Sequence, residues 1–191
     1  MAGGMSIDGL EDLLKNLETA QELADDFYED CAKELAARLL AMVVKRTPRG
    51  QAPKLEMPEG ETTVKVKVKG ADGKLRERSF LTAEAARIQQ IKLYWAGYTG
   101  GTLKKSWTAG EIRRNGSNYT VEIRNPEVYA SYVEYGHRQQ PGRYVPALGK
   151  RLKKGWVPGK HMLTISEKEL RRMAPAVLER KLNSFLKGVF E

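Results

Sequence analysis

Cysteine and histidine are scarce in this chain of 191 residues. Cys31 is the only cysteine, so an intrachain disulfide is impossible and a zinc site built on cysteines is excluded. The two histidines, His137 and His161, are too few for a His-rich metal centre. The sequence therefore predicts neither a metal nor a cofactor, and its cysteine usage indicates a reducing compartment.

Long apolar runs are also lacking. The longest, residues 39–44, is far shorter than the ~20 residues that a membrane-spanning helix needs. Residues 1–8 contain no basic stretch followed by an apolar one, so no signal peptide is predicted. We expect from these absences a protein that is made in the cytoplasm and stays soluble.

What the chain has in excess is positive charge, and that charge is unevenly distributed. Lys and Arg number 33 and Asp and Glu 24, a net charge of +9. Residues 1–46 hold five bases against ten acids, and residues 47–191 hold 28 bases against 14 acids. A net −5 beside a net +14 favours a protein that packs against copies of itself. A solvated acidic helix beside a basic body is the alternative.

Apolar residues at three- and four-residue steps predict a long helix at each end of the chain. The first spans residues 8–46 and ends at Thr47-Pro48, and its length predicts a break at 18–21. The last begins at a capping box formed by Ser166 and Glu169, and Pro175 should kink or restart it.

Shorter elements lie between these helices. In order they are a hairpin at 63–69 and 74–81, a helix at 83–95, a hairpin at 102–114 and 118–125, helical turns at 128–135, a basic loop at 136–160 and a strand at 161–165. The second hairpin is indicated by the turn signal Asn115-Gly116. This order predicts an α+β fold, with the long N-terminal helix and the C-terminal helix packed on a small antiparallel sheet.

The first hairpin alternates valine and lysine over residues 63–69. That period predicts a half-buried strand, whose valine face must lie on this domain or on a neighbour. The lysines Lys65, Lys67 and Lys69 either follow a phosphate backbone or protect an exposed strand edge from unwanted pairing.

Signatures of catalysis are weak. The chain has no Gly-rich phosphate loop and no G-x-S-x-G turn. Glu134 is close enough in sequence to pair with His137, but a surface pair is the simpler reading, so we expect no enzyme. In the basic loop, Tyr144 and Trp156 either stack on single-stranded nucleic acid or anchor the loop to the core.

Three segments together carry a resemblance to a known family. They are Thr47-Pro48 after a long helix, residues 99–107 (TGGTLKKSW) and residues 129–138 (YASYVEYGHR). In this order they resemble the tail-component family of tailed bacteriophages, the gene-product-ten-like neck and tail-completion proteins, with the lambda minor tail protein Z as a distant relative. The positions that match are Thr47, Pro48, Thr99, Gly100, Gly101, Leu103, Lys105, Ser106, Trp107, Tyr129, Ala130, Val133, Glu134, Tyr135 and Gly136.

The chain departs from the family pattern in two places. The first two segments are nearly adjacent in that pattern, so residues 50–98 look like an insertion, a β-hairpin plus a short helix, within one tail-component domain spanning 1–191. His137 stands where the family usually has threonine.

The resemblance implies a structural virion protein of the head–tail junction. Such a protein forms a ring, usually a hexamer, around the DNA channel and joins the head connector to the tail. Its partners would be copies of itself, the head connector or head-completion protein, the tail terminator or tail tube protein, and genomic DNA without sequence preference. It would be assembled in the cytoplasm of the bacterial host, without a membrane.

The resemblance also implies roles for individual residues. Gly100, Gly101 and Gly136 would permit tight turns. Trp107, Tyr129, Val133 and Tyr135 would fill the space between sheet and helix, and Glu134 would cap a helix or pair with a base such as Arg138. The bases that would face the DNA channel or a neighbouring subunit are Arg138, Arg143, Lys150, Arg151, Lys153, Lys154 and Lys160.

Two alternatives to a neck or tail-completion ring stay open. One is a tail terminator ring that caps the tail tube. The other is a stand-alone basic nucleic-acid-binding protein.

Overall fold

A computed structural model describes residues 8–190, and for Asp8 its backbone only. The region in which a signal peptide was excluded therefore lies almost wholly outside the described residues. The helices are α1 Asp8–Arg46, α2 Ala83–Tyr94, α3 Thr102–Lys105, α4 Ala130–Tyr135 and α5 Met162–Phe190. The strands are β1 Thr63–Lys69, β2 Leu75–Leu81, β3 Thr108–Ala109, β4 Arg113–Asn115, β5 Asn118–Thr120, β6 Ile123–Arg124, β7 Gly136–Arg138, β8 Tyr144–Val145, β9 Lys150–Arg151 and β10 Trp156–Pro158.

The chain divides into two compact units. The helical unit contains the residues up to Pro48, Thr102–Tyr135 and the chain from Lys160 onward. The basic unit contains Arg49–Gly101 and Gly136–Gly159, so the residues of the predicted insertion and most of the predicted basic loop belong to the same body. Whether residues 50–98 are an insertion relative to other family members stays a prediction.

Two antiparallel helices, α1 and α5, dominate the helical unit. The rings of Phe27 and Phe185 stack with centroids 4.6 Å apart near one end of the pair, and Arg46 forms an ion pair with Glu169 near the other. The helix α1 is continuous, without the predicted break at 18–21, because neither Pro nor Gly interrupts it after Gly9. The core of the unit is formed by Val43, Leu103, Trp107 and Met162.

The second predicted hairpin is present, but it begins later than expected. Residues 102–105 form the helical turn α3, which the Ser106 N–H and hydroxyl extend by bonding to the Thr102 carbonyl. The ladder then runs as β3 with β6 and β4 with β5. Gly116, with φ +60°, opens its two-residue turn and takes a conformation that side chains disfavour.

The last helix starts earlier than predicted. Residues 161–165 were expected to form a strand, but α5 begins at Met162. Ser166 is no N-cap, since it lies inside the helix, fully buried, with its hydroxyl bonded to the Met162 carbonyl 2.7 Å away. The capping-box prediction was wrong because the helix begins four residues before Ser166, and Glu169 is engaged with Arg46. The helix is also continuous through Pro175, without a restart.

The basic unit is built around α2, whose buried face is formed by Ala85, Ile88 and Ile91. The Thr82 hydroxyl caps this helix by accepting a hydrogen bond from the Ala85 N–H at 3.3 Å. Residues 136–159 are more than a loop: β8 pairs with β9 inside the outer pair of β7 and β10, which makes a nested hairpin with its own backbone bonds. The prediction of a loop over 136–160 was therefore wrong for most of its length.

The first hairpin forms with the predicted strands and pairs Val64 with Phe80 and Val66 with Arg78. Val64 and Val66 are 48% and 45% exposed, and Val68 is partly buried. About half of the valine surface is therefore exposed within the described residues.

These elements confirm the α+β class, with a long helix at each end and antiparallel strands between them. The strands differ from the single sheet that was expected, because within residues 8–190 they form five separate two-stranded ladders.

Candidate functional site

Two of the family motif segments meet at the C-terminal end of α1. The Thr47 hydroxyl donates to the Val43 carbonyl at 2.7 Å and accepts the Trp107 indole N–H at 2.8 Å. Thr47 and Trp107 are only 3% and 9% exposed, so this hydrogen bond is a buried polar contact inside an apolar core. Two segments that lie 60 residues apart in the sequence are thereby joined at one point.

Glu134 is the buried carboxylate of the helical unit. Its Oε2 accepts the Leu163 N–H at 3.0 Å, and its Oε1 accepts the Thr164 N–H at 3.0 Å and the Thr164 hydroxyl at 2.8 Å. Its backbone carbonyl accepts the His161 N–H at 3.0 Å. A carboxylate at the first turn of a helix satisfies N–H groups that lack a partner in the helix and suits its dipole. The resemblance implied that Glu134 either caps a helix or pairs with a base, and this geometry is that of a helix cap.

Two motif glycines lie where a side chain has no room. A Cβ on Gly100 (φ +64°) would lie 2.1 Å from the Gly50 carbonyl oxygen. A Cβ on Gly136 (φ +86°) would lie 2.4 Å from the Val157 carbonyl oxygen. The Thr99 carbonyl beside Gly100 accepts both Nε and Nη2 of Arg49, at 2.9 and 2.6 Å. Gly101 also has a positive φ, of +91°.

Other motif residues lie on the surface. Tyr129 and Tyr135 are 41% and 63% exposed, so the prediction that they fill the space between sheet and helix was wrong, while Val133 packs partly buried against the core. Their side chains stand on α4 or just before it, where only one side of a short helix can face the core.

Of the remaining matched positions, Ala130 packs against the core, Ser106 lies 2.7 Å from the Glu127 carboxylate, and Pro48 and Lys105 are exposed.

All seven bases predicted for the channel or an interface are exposed. Six of them lie in the basic unit and Lys160 lies in the helical unit. Within the described part of the chain, none of the seven forms an ion pair. The basic unit as a whole holds sixteen bases and six acids, a net charge of +10, whereas the helical unit holds 17 bases and 18 acids. The entire positive excess therefore sits on one unit.

The aromatic residues of this basic segment differ in exposure. Trp156 is 50% exposed and pairs across the strands with Arg138, which places both side chains on one face. Tyr144 is 37% exposed and stands opposite Arg151 in the same way. The anchor of the segment is a residue that sequence reasoning missed: the Trp95 indole N–H donates to the Ala147 carbonyl at 2.6 Å.

A second missed cluster joins α1 to the second hairpin. Asp25 accepts the Tyr119 hydroxyl at 2.9 Å and pairs with Arg114. The Tyr119 hydrogen bond, followed by that of Arg114, lowers the pKa of Asp25. No local pattern marks this cluster, because its members lie about 90 residues apart.

Cys31 packs as a small core residue, 7% exposed, and burial raises the pKa of its thiol. Across residues 8–190, no three His, Cys, Asp or Glu side chains are grouped so as to hold a metal ion. In the same range, every helix is too short or too polar to cross a bilayer.

The sequence model of one protein family, described as "Bacteriophage HK97-gp10, putative tail-component", matches residues 11–136. That match covers about two thirds of the chain and includes all three motif segments up to Gly136. The chain belongs to this family of phage tail components, and a tail component is part of the virion. No curated protein and no solved structure matches the chain.

Proposed function

We propose that the protein is a neck or tail-completion subunit that forms a ring around the DNA channel between head connector and tail. The observation that carries the proposal is the separation of charge, +10 on the basic unit and −1 on the helical unit. In a head-to-tail ring each subunit offers two different surfaces, which must complement each other. The acidic first helix, with five bases against ten acids, and the basic unit supply surfaces of opposite charge on one chain.

The position in the particle is tested by removing the gene from the phage. The proposal expects full heads and complete tails that fail to join, visible by electron microscopy, and rescue when the protein is supplied from a plasmid. Tail tubes of uncontrolled length would instead identify a tail terminator.

Stoichiometry is tested by the mass of the complex isolated from virions or formed at high concentration. A closed ring, for which we propose six copies, gives one dominant mass, whereas an open chain of subunits gives a series. A strictly monomeric protein in the virion would contradict the ring.

The exposed bases would lie against DNA that the ring encloses. Contacts to phosphate are independent of sequence and weaken steeply with salt. Because DNA would be held by the ring as a whole, we expect the isolated monomer to bind it weakly at physiological salt.

A stand-alone nucleic-acid-binding protein is the second candidate, favoured by the exposed pair of Trp156 and Arg138. It predicts that the monomer binds single-stranded nucleic acid tightly, which fluorescence anisotropy would measure. Neutralising Lys150, Arg151, Lys153 and Lys154 together should then abolish binding. Such binding, combined with normal joining of heads and tails in its absence, would replace the ring proposal.

The proposal includes three further expectations. The protein acts without catalysis, it assembles in the host cytoplasm, and residues 50–98 are an insertion into a single tail-component domain. A variant lacking 50–98 tests the last point, since an insertion can be removed while α1 and α5 still pack as they do here.

A further inference from the structure

Within the described residues, the helix α1 extends beyond its partner helix α5. The Phe27–Phe185 stack fixes the antiparallel register, and α5 is described for only five residues beyond Phe185. At about 1.5 Å per residue, α5 therefore reaches to about residue 22 of α1. Residues 8–21 of α1 continue for about 20 Å beyond that point.

This projecting segment carries an unpartnered apolar stripe, which we call the leucine stripe: Leu10, Leu13, Leu14 and Leu17. Its members are between 45% and 54% exposed. Their spacing puts them on one face, and that face is the one that carries Cys31 and Leu35 farther along. The core-facing side of α1 thus continues into solvent, where it has no partner within the described residues.

An acidic row flanks the leucine stripe. Glu11, Glu18 and Glu22 follow one another along one edge of the stripe, with the single base Lys15 between the first two. Residues 8–22 hold five acids and one base, so two copies of this segment packed on each other would bring net negative charge together, which is destabilising. The chemistry of the segment therefore favours an apolar partner with a positive rim.

The basic unit offers a groove of that kind between α2 and the nested hairpin. The groove is about 300 Å³ in volume and is lined by Ile91, Tyr94, Tyr144, Pro146 and Ala147, with Arg87 and Gln90 at its side.

Two exposed bases stand at this groove. Arg87 lines the groove itself. Arg151 is beside it, across the strands from the lining residue Tyr144 and on the same face, and its guanidinium also donates to the Gly142 carbonyl at 2.7 Å. One acid, Glu84, precedes Arg87 by one turn of α2. Around the groove the unit carries a net charge of +10.

We propose that the leucine stripe of one copy docks into the α2 groove of another copy, with its acidic row against the Arg87 and Arg151 rim. The proposal rests on the ring function above and specifies its subunit contact. Because stripe and groove are different surfaces, the contact is head-to-tail, the kind that closes a ring or extends a chain.

Charge reversal tests the rim. A triple variant, Glu11→Lys, Glu18→Lys and Glu22→Lys, should weaken self-association at least tenfold, measured by sedimentation or native mass spectrometry. The reversal Arg87→Glu with Arg151→Glu should do the same, and a chain carrying all five changes should recover association, because the charges are then exchanged.

Two matched controls are available on surfaces outside the contact. Asp26→Lys lies on the same helix where α5 accompanies it, and Lys168→Glu lies exposed on α5. Both should leave association unchanged. Absence of recovery in the five-fold variant, or equal losses in the controls, would overturn the docking proposal.

A crosslink tests the contact inside assembled particles, where weak association of the free protein does not matter. In a Cys31→Ser background, Leu14→Cys and Tyr94→Cys on one chain should give a ladder of disulfide-linked multimers on mild oxidation. The control pair Leu14→Cys with Leu75→Cys, also exposed, should give none.

The possible failures are distinguishable. Dimers from Leu14→Cys alone would mean that two α1 segments pair, and a crosslink within single chains would mean that the groove is filled from its own chain. Either result, or no crosslink at all in particles that contain rings, overturns the docking and leaves the ring proposal intact. Particles with joined heads and tails that contain only monomers of the protein would overturn both.

Discussion

Replacing Glu134 by alanine removes the acceptor of three hydrogen bonds at the first turn of α5. A net hydrogen bond to a charged group contributes about 1.5–3 kcal/mol when buried, but Leu163 and Thr164 are half-buried and their N–H groups regain some water. We therefore assign about 1 kcal/mol to each bond, or about 3 kcal/mol in total. Loss of an N-cap, about 0.5–2 kcal/mol, plus loss of the helix-dipole interaction, about 0.3–1 kcal/mol, leads to a similar value.

The assay is urea unfolding followed by circular dichroism, at one protein concentration for all variants. In a thermal melt of a chain of this length, a loss of about 3 kcal/mol in the free energy of unfolding corresponds to a drop in melting temperature of about 6–12 °C. Glu134→Gln keeps the size and one acceptor oxygen, so its cost should be about half. Thr164→Val removes one bond and should cost about 1 kcal/mol.

The matched control is Glu167→Gln, an exposed acid at the same end of α5. It should change the free energy of unfolding by less than about 0.5 kcal/mol. A capping role for Glu134 is refuted if Glu134→Ala has a free energy of unfolding within that margin of the wild type, or if the control variant loses as much.

Three further predictions concern the two units. Trp107→Phe keeps the apolar packing but removes the indole bond to Thr47 and should cost about 1–2 kcal/mol in urea unfolding. Gly100→Ala should reduce thermal stability well beyond Gly142→Ala, which has a similar φ but open space around it; equal losses would show that crowding is irrelevant. Because the pKa of Asp25 is lowered in the folded protein, its carboxylate stabilises the fold at a pH above about 3.8, the pKa of an unperturbed Asp. That stabilisation is lost as the pH falls below this value. Asp25→Asn should therefore flatten the dependence of the unfolding free energy on pH in this acidic range.

Local patterns were sufficient to predict most elements. The helices α1 and α2 and the first hairpin follow from periodicity and turn residues within a few positions of each other, and the structure has them close to the predicted bounds. Such patterns are reliable because each element buries one face and the residues on that face recur at its own period.

The start of α5 shows where local patterns fail. Ser166 and Glu169 have the spacing of a cap, yet the acceptor that caps the helix is Glu134, 29 residues before Leu163. Arg46, from the far end of the sequence, engages both capping-box residues. A cap supplied by another element leaves no signature next to the helix that it stabilises.

The sequence predicted the roles of some residues in the candidate site and not those of others. The motif glycines and Glu134 have the kinds of role that the resemblance implied for them, whereas Tyr129 and Tyr135 are on the surface. An aromatic residue in a short helix gives no periodicity long enough to tell the inner face from the outer one. The segment 136–159 was missed as a structure for a related reason, since its strands are only two or three residues long.

By itself, the sequence determined the net charge of +9, the acidic first helix, the α+β class and the motifs of a phage tail component. Only the tertiary structure decided where the positive excess is concentrated, because it joins residues 49–101 with residues 136–159 in one body. It also decided that the leucine stripe has no partner within residues 8–190, since the length of α1 that α5 covers depends on the register between two helices more than 100 residues apart. Periodicity fixes which face of a helix is apolar, but what lies against that face is a matter of packing between distant segments.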